Sequence, residues 1–340
     1  MEFKPHVSFS LSDRSFLNVV KRDIAKLAES YGLGPAEVGK VNIVVAEMTS
    51  NLIKHNATEG EILVKPLGTD ITGIEIICLD KGPGMSDVNR MMEDGVSTAG
   101  TNGEGLGAIK RMSDEFDIYS CKGVGTYILA RLYKGRPKLA GKLPKKFEVG
   151  VVMVPKTGET KCGDAWALRE ELNKSHFLVA DGLGHGEFAE IASQSAVEVF
   201  RETKQMGPSE VIRTIHQAIK RTRGAVGNVA TINLESKTLS YCGVGNIAGR
   251  IISGHEGTKS IISYNGILGH NIPTTMHNHD LPWNNNSVLI LHSDGLKSKW
   301  DLVRYKDVLQ HSPSLVAALM YKEFSRGSDD TLVLICRTRA

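Results

Sequence analysis

A strongly basic stretch near the middle of the chain limits how the rest can fold. Residues 134–146, KGRPKLAGKLPKK, contain six lysines and arginines, no acidic residue, two prolines and two glycines. This composition is typical of a solvated connector, although it also suits a docking patch for an anionic partner. Because a compact core does not extend across such a connector, we predict two domains, residues 1–134 and 147–340, joined by a linker at 135–146.

Composition excludes several classes of protein. The chain has 340 residues, 41% of them hydrophobic, and can bury two sizeable cores. We expect no membrane-spanning helix, because no apolar run reaches the roughly 18 residues that one needs. We also expect a cytoplasmic protein, because no secretory signal is recognisable. A net charge of +3 without a basic stripe argues against a nucleic-acid partner. The five scattered cysteines, never spaced C-x-x-C, predict free thiols.

The hydrophobic pattern differs between the two halves. Apolar residues recur at helical spacing over residues 14–30 and 36–55, whereas residues 71–80 and 116–133 have the composition of strands. The second half is richer in strands, with helical stretches at 187–204 and 208–223. Seven runs there predict strands: FEVGVVMV, HFLVAD, VATINLE, LSYCGV, GRIIS, SVLILHSD and TLVLICR. The sequence therefore predicts an α/β protein of the α+β type with two domains.

Two familiar glycine motifs are present in incomplete form. Residues 34–40 match G-x-x-x-x-G-K, but Val41 follows them and offers no hydroxyl to magnesium. Residues 103–107, GEGLG, follow a polar stretch instead of a strand, so the context of a dinucleotide-binding fold is missing. The sequence excludes both a P-loop and a Rossmann site.

The helix predicted over residues 36–55 carries a carboxylate and an amide on one face. Glu47 and Asn51 are four residues apart, so they project in the same direction beside an apolar stripe. We interpret Asn51 as a Mg²⁺ ligand and Glu47 as the group that orients or deprotonates a hydroxyl nucleophile. An ordinary polar helix face is the alternative when this helix is considered alone.

Two glycine-bearing segments follow that helix and support a nucleotide site. An apolar strand ends at Asp80, whose carboxylate can accept a hydrogen bond from an adenine amino group. The polar segment 93–107 runs into a predicted helix over residues 108–116, where free N–H groups can bind phosphate oxygens, and it can close as a lid. The glycines assigned to close contact with the nucleotide are Gly82, Gly84, Gly103, Gly105 and Gly107.

These segments, AEMTSNLIKHN, DKGPGM and GTNGEGLGAIKRM, resemble the N box and the two glycine boxes of the histidine-kinase-like (Bergerat-fold) ATPases. The resemblance covers about residues 5–134. The second glycine box is similar to that of the RsbT-type serine kinases that regulate sigma factors. This resemblance implies a two-layer α/β sandwich that binds ATP with Mg²⁺ and phosphorylates a STAS-domain partner. It further implies that Glu47 is the catalytic base, that Asn51 binds Mg²⁺ and that Thr126 lies near the adenine.

In the second half, aspartates recur beside the predicted strands. One aspartate before a glycine is usually a turn residue, but side-by-side strands bring several carboxylates to one edge. Such a cluster is costly unless cations lie between the charges, and oxygen-only ligands favour Mg²⁺ or Mn²⁺. Two ions can activate a water and neutralise a phosphoryl group, which suits hydrolysis of a phosphate ester. The aspartates are Asp164, Asp181, Asp294, Asp329 and Asp330.

The spaced elements GD, DGLGHG, SDG and DDT resemble the metal-dependent type 2C (PPM) protein phosphatases, in the compact bacterial branch that contains SpoIIE and RsbX. The likeness covers residues 147–340 and implies an α-β-β-α sandwich that binds two Mn²⁺ or Mg²⁺ ions. It implies catalysis that depends on Asp181, and metal ligation by the carbonyl of Gly182. The usual last motif has a residue between its second aspartate and the threonine, so either Asp329 or Asp330 binds metal. The implied metal ligands are Asp164, Asp181, Gly182, Asp294 and Asp329 or Asp330.

The sequence leaves three functions open. In the first, the N-terminal domain phosphorylates a serine or threonine of a STAS-domain regulator in a sigma-factor or stress pathway, and the C-terminal domain removes that phosphate. In the second, the N-terminal domain is an anti-sigma-like module that binds ATP and a sigma-regulatory protein without transfer, and only the phosphatase is active. In the third, the N-terminal domain hydrolyses ATP to drive conformational work.

Overall fold

The computed structural model describes residues 4–11, 17–55, 57–67, 72–92, 105–135, 146–203, 206–254 and 257–339. They form two compact units, one of Met1–Lys142 with Leu302–Lys322 and the other of Leu143–Asp301 with Glu323–Ala340. The linker predicted at 135–146 lies almost wholly outside the described residues, and the domain boundaries at 134 and 147 stay a prediction. Within the described ranges, no helix combines the length and apolar character needed to cross a membrane.

The N-terminal unit contains an antiparallel five-stranded sheet and, from the first half of the chain, four helices. The strands are β1 (Val7–Leu11), β2 (Gly60–Pro66), β3 (Gly73–Leu79), β4 (Glu115–Cys121) and β5 (Gly125–Tyr133). The helices are α1 (Leu17–Ser30), α2 (Pro35–Lys54), α3 (Val88–Met91) and α4 (Gly105–Met112). In space the strands follow the order β1-β2-β3-β5-β4.

Helix α2 shows how the sequence produces this arrangement. Pro35 begins it, and the Glu37 carboxylate accepts a hydrogen bond from the Gly34 N–H at 3.0 Å, which satisfies one of the free donors at the helix start. Its apolar stripe, including Val44 and Met48, is fully buried in a core shared with α1, α4 and one face of the sheet. The two-layer α/β sandwich is therefore confirmed, and α2 presents its polar residues at the edge of that core.

The other face of the sheet binds a segment from far along the chain. Helix α7 (Pro313–Phe324) belongs almost entirely to the N-terminal unit, and its first eight residues are buried. Carboxylates and a guanidinium on strands β2, β4 and β5 hold this segment. The contacts join His311 and Ser312 to Asp117, Ser314 to Arg131, and Tyr321 and Lys322 to Glu61. Neither this helix nor its packing is predicted from the sequence.

The C-terminal unit is built from two antiparallel five-stranded sheets. The first sheet contains β7 (Asp164–Glu170), β8 (Lys174–Gly182), β9 (Ala225–Asn233), β10 (Thr238–Val244) and β13 (His279–Pro282), in the order β13-β10-β9-β8-β7. The second contains β6 (Phe147–Val154), β11 (Ala248–Ser253), β12 (Gly257–Ile261), β14 (Ser287–His292) and β15 (Thr331–Thr338), in the order β12-β11-β14-β15-β6. Two helices, α5 (Glu187–Glu202) and α6 (Pro208–Ala218), follow β8.

Alternating apolar residues join these layers. Side chains of both sheets, such as Phe177 of β8 and Leu289 of β14, share one buried cluster between the sheets. A second cluster joins the first sheet to α5 and α6, with Phe200 and Ile215 fully buried. The predicted strand-rich half flanked by helices is confirmed, and the protein is a two-domain α/β molecule.

One predicted helix is too long. The stretch 108–116 is predicted to be helical, but α4 ends at Met112 and Glu115 begins β4. The Asp114 N–H donates to the Arg131 carbonyl at 2.9 Å, and Phe116 packs against the core. Pairing with β5 therefore outweighs the helical preference of this short segment.

Candidate functional sites

The N-terminal unit contains a cavity of about 710 Å³ that lies where the three predicted nucleotide segments meet. Residues from all three line it, namely Glu47 and Asn51 of α2, Asp80 and Gly84 after β3, and Gly105 at the start of α4, together with Thr126 of β5. The volume is within the range of small-molecule sites. Gly82 is adjacent to Asp80, and Gly107 is buried within α4. Gly103 lies outside the described residues.

Asp80 is held at the cavity wall by backbone donors. Its Oδ1 accepts hydrogen bonds from the Gly82 N–H at 2.7 Å and the Thr126 N–H at 3.2 Å. Burial raises the pKa of the Asp80 carboxyl, and the two backbone N–H groups partly offset that effect. A buried carboxylate with one oxygen so engaged suits a ligand that brings a further donor, such as an exocyclic amino group.

Gly84 brings the loop after β3 into close contact with the β4–β5 hairpin. Its φ is +66°, and a Cβ at this position would lie 2.1 Å from the Cys121 carbonyl oxygen. We expect Gly84→Ala to lower the free energy of unfolding by about 2 kcal/mol or more, because it adds a steric clash to an unfavourable backbone conformation. Gly123, at φ +77° with open space around it, supplies the matched variant.

Gly123→Ala has only the backbone cost, which is about 1 kcal/mol. Denaturant unfolding of both full-length variants measures the difference. Equal losses of stability would show that the contact with Cys121 is unimportant.

The start of α4 lies directly against the polar face of α2. A Cβ on Gly105 would be 2.8 Å from Glu47 Oε2 and 3.4 Å from Asn51 Oδ1. Backbone N–H groups at this helix N-terminus can therefore receive phosphate oxygens close to a carboxylate and an amide oxygen. Oxygen donors of this kind suit Mg²⁺ bound to a nucleotide, so the residues present fit the implied cofactor.

In the C-terminal unit, strand pairing brings the predicted aspartates to one edge of the sandwich. Asp164 of β7 lies directly opposite Asp181 of β8. Burial raises the pKa of Asp181 to about 8, and the negative charges of Asp294, Asp329 and Asp330 add to this effect. Burial also raises the pKa of Asp164 well above its usual range, with Asp181 as the next cause. The five aspartates therefore act on one another electrostatically.

The oxygens of Asp164 fit a site for cations. Its Oδ2 accepts a hydrogen bond from the Ser293 hydroxyl at 2.7 Å, whereas its buried Oδ1 has no partner among the described residues. A buried oxygen of this kind, surrounded by like charges, is costly unless a positive ion is near. Across the described ranges, no three Asp, Glu, His or Cys side chains already surround one point closely enough to hold a metal ion.

Asp329 and Asp330 differ in their surroundings. Asp330 is buried, and its two oxygens accept hydrogen bonds from the Lys156 N–H at 2.8 Å and the Gly163 N–H at 2.9 Å. Asp329 is partly exposed, and its charge raises the pKa of both Asp181 and Asp294. Backbone N–H groups therefore engage both oxygens of Asp330, whereas Asp329 accepts through Oδ1 from the Asp330 N–H.

The segment that follows Asp181, residues 182–186, is named the metal loop after its predicted role, and it is packed tightly against α5. A Cβ on Gly182 would lie 2.0 Å from the Ala189 carbonyl oxygen, so this position requires glycine. Two polar residues of the site escaped the sequence analysis, namely Ser293 and Asn246, whose Nδ2 donates to Asp294 Oδ2 at 2.7 Å. Ser293 directly precedes Asp294 and was detectable by its position, whereas Asn246 lies in a loop without any pattern.

Comparison with known proteins relates the two halves to different families. Residues 12–132 match the family model of the histidine kinase-like ATPase domain, and residues 173–339 match that of stage II sporulation protein E (SpoIIE). The serine/threonine-protein kinase RsbT of Bacillus subtilis (strain 168) is 35% identical over 105 residues, which cover 31% of this chain and 78% of RsbT.

The second half of the chain is similar to a phosphatase. The phosphoserine phosphatase RsbX of Bacillus subtilis (strain 168) is 28% identical over 146 residues, which cover 43% of this chain and 73% of RsbX. A crystal structure of RsbX in complex with magnesium has a similar fold, with a TM-score of 0.52 and 24% sequence identity. That similarity covers 58% of this chain and 98% of the other.

Proposed function

We propose that this chain, which belongs to the RsbT-type histidine kinase-like ATPases and carries a SpoIIE-type protein phosphatase domain, both adds and removes phosphate on a regulatory protein. The N-terminal domain transfers the γ-phosphoryl group of ATP to a serine or threonine, and the C-terminal domain hydrolyses the resulting phosphoester. One chain then sets both directions of a signalling state. The observation that carries this proposal is the presence of a nucleotide-sized cavity with Glu47 and of a crowded aspartate cluster in the same chain.

The transfer step follows from the residues around the cavity. Asp80 accepts a hydrogen bond from the adenine amino group, and the N-terminus of α4 binds phosphate oxygens. Glu47 takes the proton of the attacking hydroxyl as its oxygen bonds to the γ-phosphorus and the bond to ADP breaks. Asn51 would hold Mg²⁺, which neutralises charge on the phosphates when bound.

The hydrolytic step is assigned to the aspartate cluster. We propose Asp164, Asp181, the Gly182 carbonyl, Asp294 and Asp329 as ligands of two Mn²⁺ or Mg²⁺ ions. Such ions supply a water of lowered pKa and neutralise the phosphoryl group. We assign Asp330 a positioning role, because both of its oxygens already bind backbone N–H groups.

The proposed partner is a STAS-domain protein of a sigma-factor or stress pathway. Support comes from the joint similarity to a serine/threonine kinase and a phosphoserine phosphatase of one bacterium. We place the protein in the cytoplasm, because its five cysteines, all among the described residues, are free thiols.

Incubation of the full-length chain with radiolabelled ATP and a STAS-domain protein tests this function. We expect label on the partner with Mg²⁺ and ATP, and release of inorganic phosphate from the labelled partner when Mn²⁺ is added after ATP is removed. Nucleotide-dependent binding without transfer would support the anti-sigma-like alternative. Steady ATP turnover without any protein substrate would support the third function, in which the N-terminal domain hydrolyses ATP to drive conformational work.

The contact between Asp80 and adenine predicts a specific loss of affinity. We expect Asp80→Asn to weaken ATP binding by about 10- to 100-fold, because an NH₂ group replaces the second carboxylate oxygen and cannot accept a hydrogen bond from the amino group. An asparagine oxygen can still accept from Gly82 and Thr126, so the loop should keep its structure. Isothermal titration measures the affinity, and exposed Asp23 supplies the control Asp23→Asn. Unchanged affinity in Asp80→Asn would contradict the adenine assignment.

A further inference from the structure

The aspartate cluster alone does not provide a cationic side chain for the phosphate of a substrate. The turn that leads into β9 supplies one. Strands β8 and β9 pair with Asp181 opposite Val226 and Gly182 opposite Ala225. The Leu183 N–H then donates to the Gly224 carbonyl at 3.0 Å, which extends the pairing into the metal loop. In this register Arg223 lies across from Gly184.

The side chain of Arg223 is placed by two contacts. Its Nη1 lies 3.0 Å from the point that a Cβ on Gly184 would occupy, so the missing side chain makes room for the guanidinium. The guanidinium carbon also lies 5.3 Å from the centre of the Phe188 ring, within the range of a cation–π contact. Arg223 is therefore held against the loop that follows Asp181.

The backbone of Arg223 is also held in place. Its carbonyl oxygen is 2.8 Å from His270 Nε2, in a hydrogen bond to the loop after β12. Gly224, at φ +83°, allows the chain to turn there, and a Cβ at Gly224 would lie 2.5 Å from His270 Cδ2. The turn thus fixes the point from which the arginine side chain extends.

Arg223 remains available to an anion. The residue is exposed, and no carboxylate of the described residues forms an ion pair with it. Phe188, 62% exposed at the first turn of α5, leaves the ring and the cation open to a protein surface. A guanidinium can form two parallel hydrogen bonds to phosphate, which a lysine cannot reproduce.

We propose that Arg223 binds the phosphate of the phosphoserine or phosphothreonine substrate, with Phe188 as its positioning residue. This inference rests on the proposed phosphatase function and adds a specificity-determining side chain to it. Arg326 is the competing candidate, because its positive charge lowers the pKa of Asp294 and it is also exposed. Arg223 is favoured because its guanidinium and its backbone are both held beside the metal loop.

The test measures hydrolysis of a phosphoserine peptide by the full chain with Mn²⁺, and inhibition by inorganic phosphate. We expect Arg223→Ala to raise both KM for the peptide and the inhibition constant of phosphate by about 10- to 100-fold. The Mn²⁺ concentration for half-maximal activity should stay the same. Arg223→Lys should recover part of the loss, and Phe188→Ala should raise both constants by about 2- to 5-fold.

Two matched variants control for loss of charge. Arg221→Ala removes an exposed arginine two residues away and should behave like the wild type. Arg326→Ala should leave the inhibition constant of phosphate unchanged. Melting temperatures of all variants check that each is folded.

Three results would overturn the inference. They are wild-type constants in Arg223→Ala, a higher KM without a change in phosphate inhibition, and a loss of phosphate inhibition in Arg326→Ala instead. If the wild type itself does not hydrolyse the phosphoserine peptide with Mn²⁺, the proposed phosphatase function fails and this inference fails with it. If the wild type is active and Arg223→Ala is unaffected, only the role of Arg223 is wrong.

Discussion

Asp181→Asn should abolish Mn²⁺-dependent hydrolysis of a phosphoserine protein, with a loss on the order of 10³-fold or more. Asp181 lies opposite Asp164, and burial together with the charges of Asp294, Asp329 and Asp330 raises its pKa, so it is part of the aspartate cluster. Asparagine keeps its size but cannot supply the negative charge that holds a divalent ion. Phosphate release from a labelled phosphoprotein measures the effect.

Nucleotide binding supplies the control for this variant. The residues around the cavity, including Glu47 and Asp80, belong to the N-terminal unit, whereas Asp181 belongs to the other. We therefore expect ATP affinity to stay within about twofold of the wild type, since sites that share no residues or partners contribute independently. A parallel fall in ATP affinity would contradict the division of the chain into two domains near residue 140.

Although Asp181→Asn should abolish activity, we expect the same variant to stabilise the fold when metal is removed. The pKa of Asp181 is raised to about 8 in the folded protein, so the folded state binds this proton more tightly than the unfolded state does. The stabilisation that comes from protonated Asp181 is complete below about pH 4, which is the ordinary pKa of aspartate, and it is lost as the pH rises to about 8. With chelator at pH 8, Asp181→Asn should therefore melt at a higher temperature than the wild type, and added Mn²⁺ should stabilise only the wild type.

Glu47→Gln should reduce phosphoryl transfer to the partner by about 10²- to 10⁴-fold, the usual contribution of a general base. Glutamine has the shape of glutamate and can keep the contact with Gly105, so ATP affinity should change little. It cannot accept the proton of the attacking hydroxyl. Transfer of label from ATP to a STAS-domain protein measures the rate.

Glu37→Gln is the matched control, because it makes the same change on the same helix outside the cavity. Glu37 accepts a hydrogen bond from Gly34 at the start of α2, so its variant should lose a fraction of a kcal/mol, about 0.5, of stability and keep its transfer rate. Phosphatase activity should be the same in both variants. Full transfer activity in Glu47→Gln would rule out its role as the base, and absence of transfer in the wild type would favour a binding module.

Much of the nucleotide site was predictable because its signals are local. Glu47 and Asn51 are one helical turn apart, so the sequence alone places them on one face. Asp80 ends a strongly apolar strand and is followed closely by glycines, which indicates an acid in a tight turn. The helical prediction for residues 113–116 is wrong because Glu115 and Phe116 pair with Arg131 and Ala130 of β5, the other strand of the β4–β5 hairpin.

Helix α7 escaped the sequence analysis for a related reason. Eight consecutive residues, Pro313–Met320, are buried, so the helix has no polar face and its sequence shows no helical periodicity. Its polar contacts with Glu61 and Arg131 join residues about 180 to 260 positions apart. Neither the burial nor the contacts leave a signal in the segment itself.

Residue types at short spacings were enough to indicate a nucleotide site in the first half, because a helix orients side chains one turn apart in the same direction. Aspartates that recur beside separate predicted strands were enough to indicate an oxygen-ligand metal site in the second half. The tertiary structure decides which of these atoms come into contact, through strand register and burial. These place Asp164 opposite Asp181, tie Asp330 to Lys156 and Gly163, and bring Arg223 to the metal loop. Such contacts join residues from distant parts of the chain, and their free energy depends on packing that appears only when the sheets form.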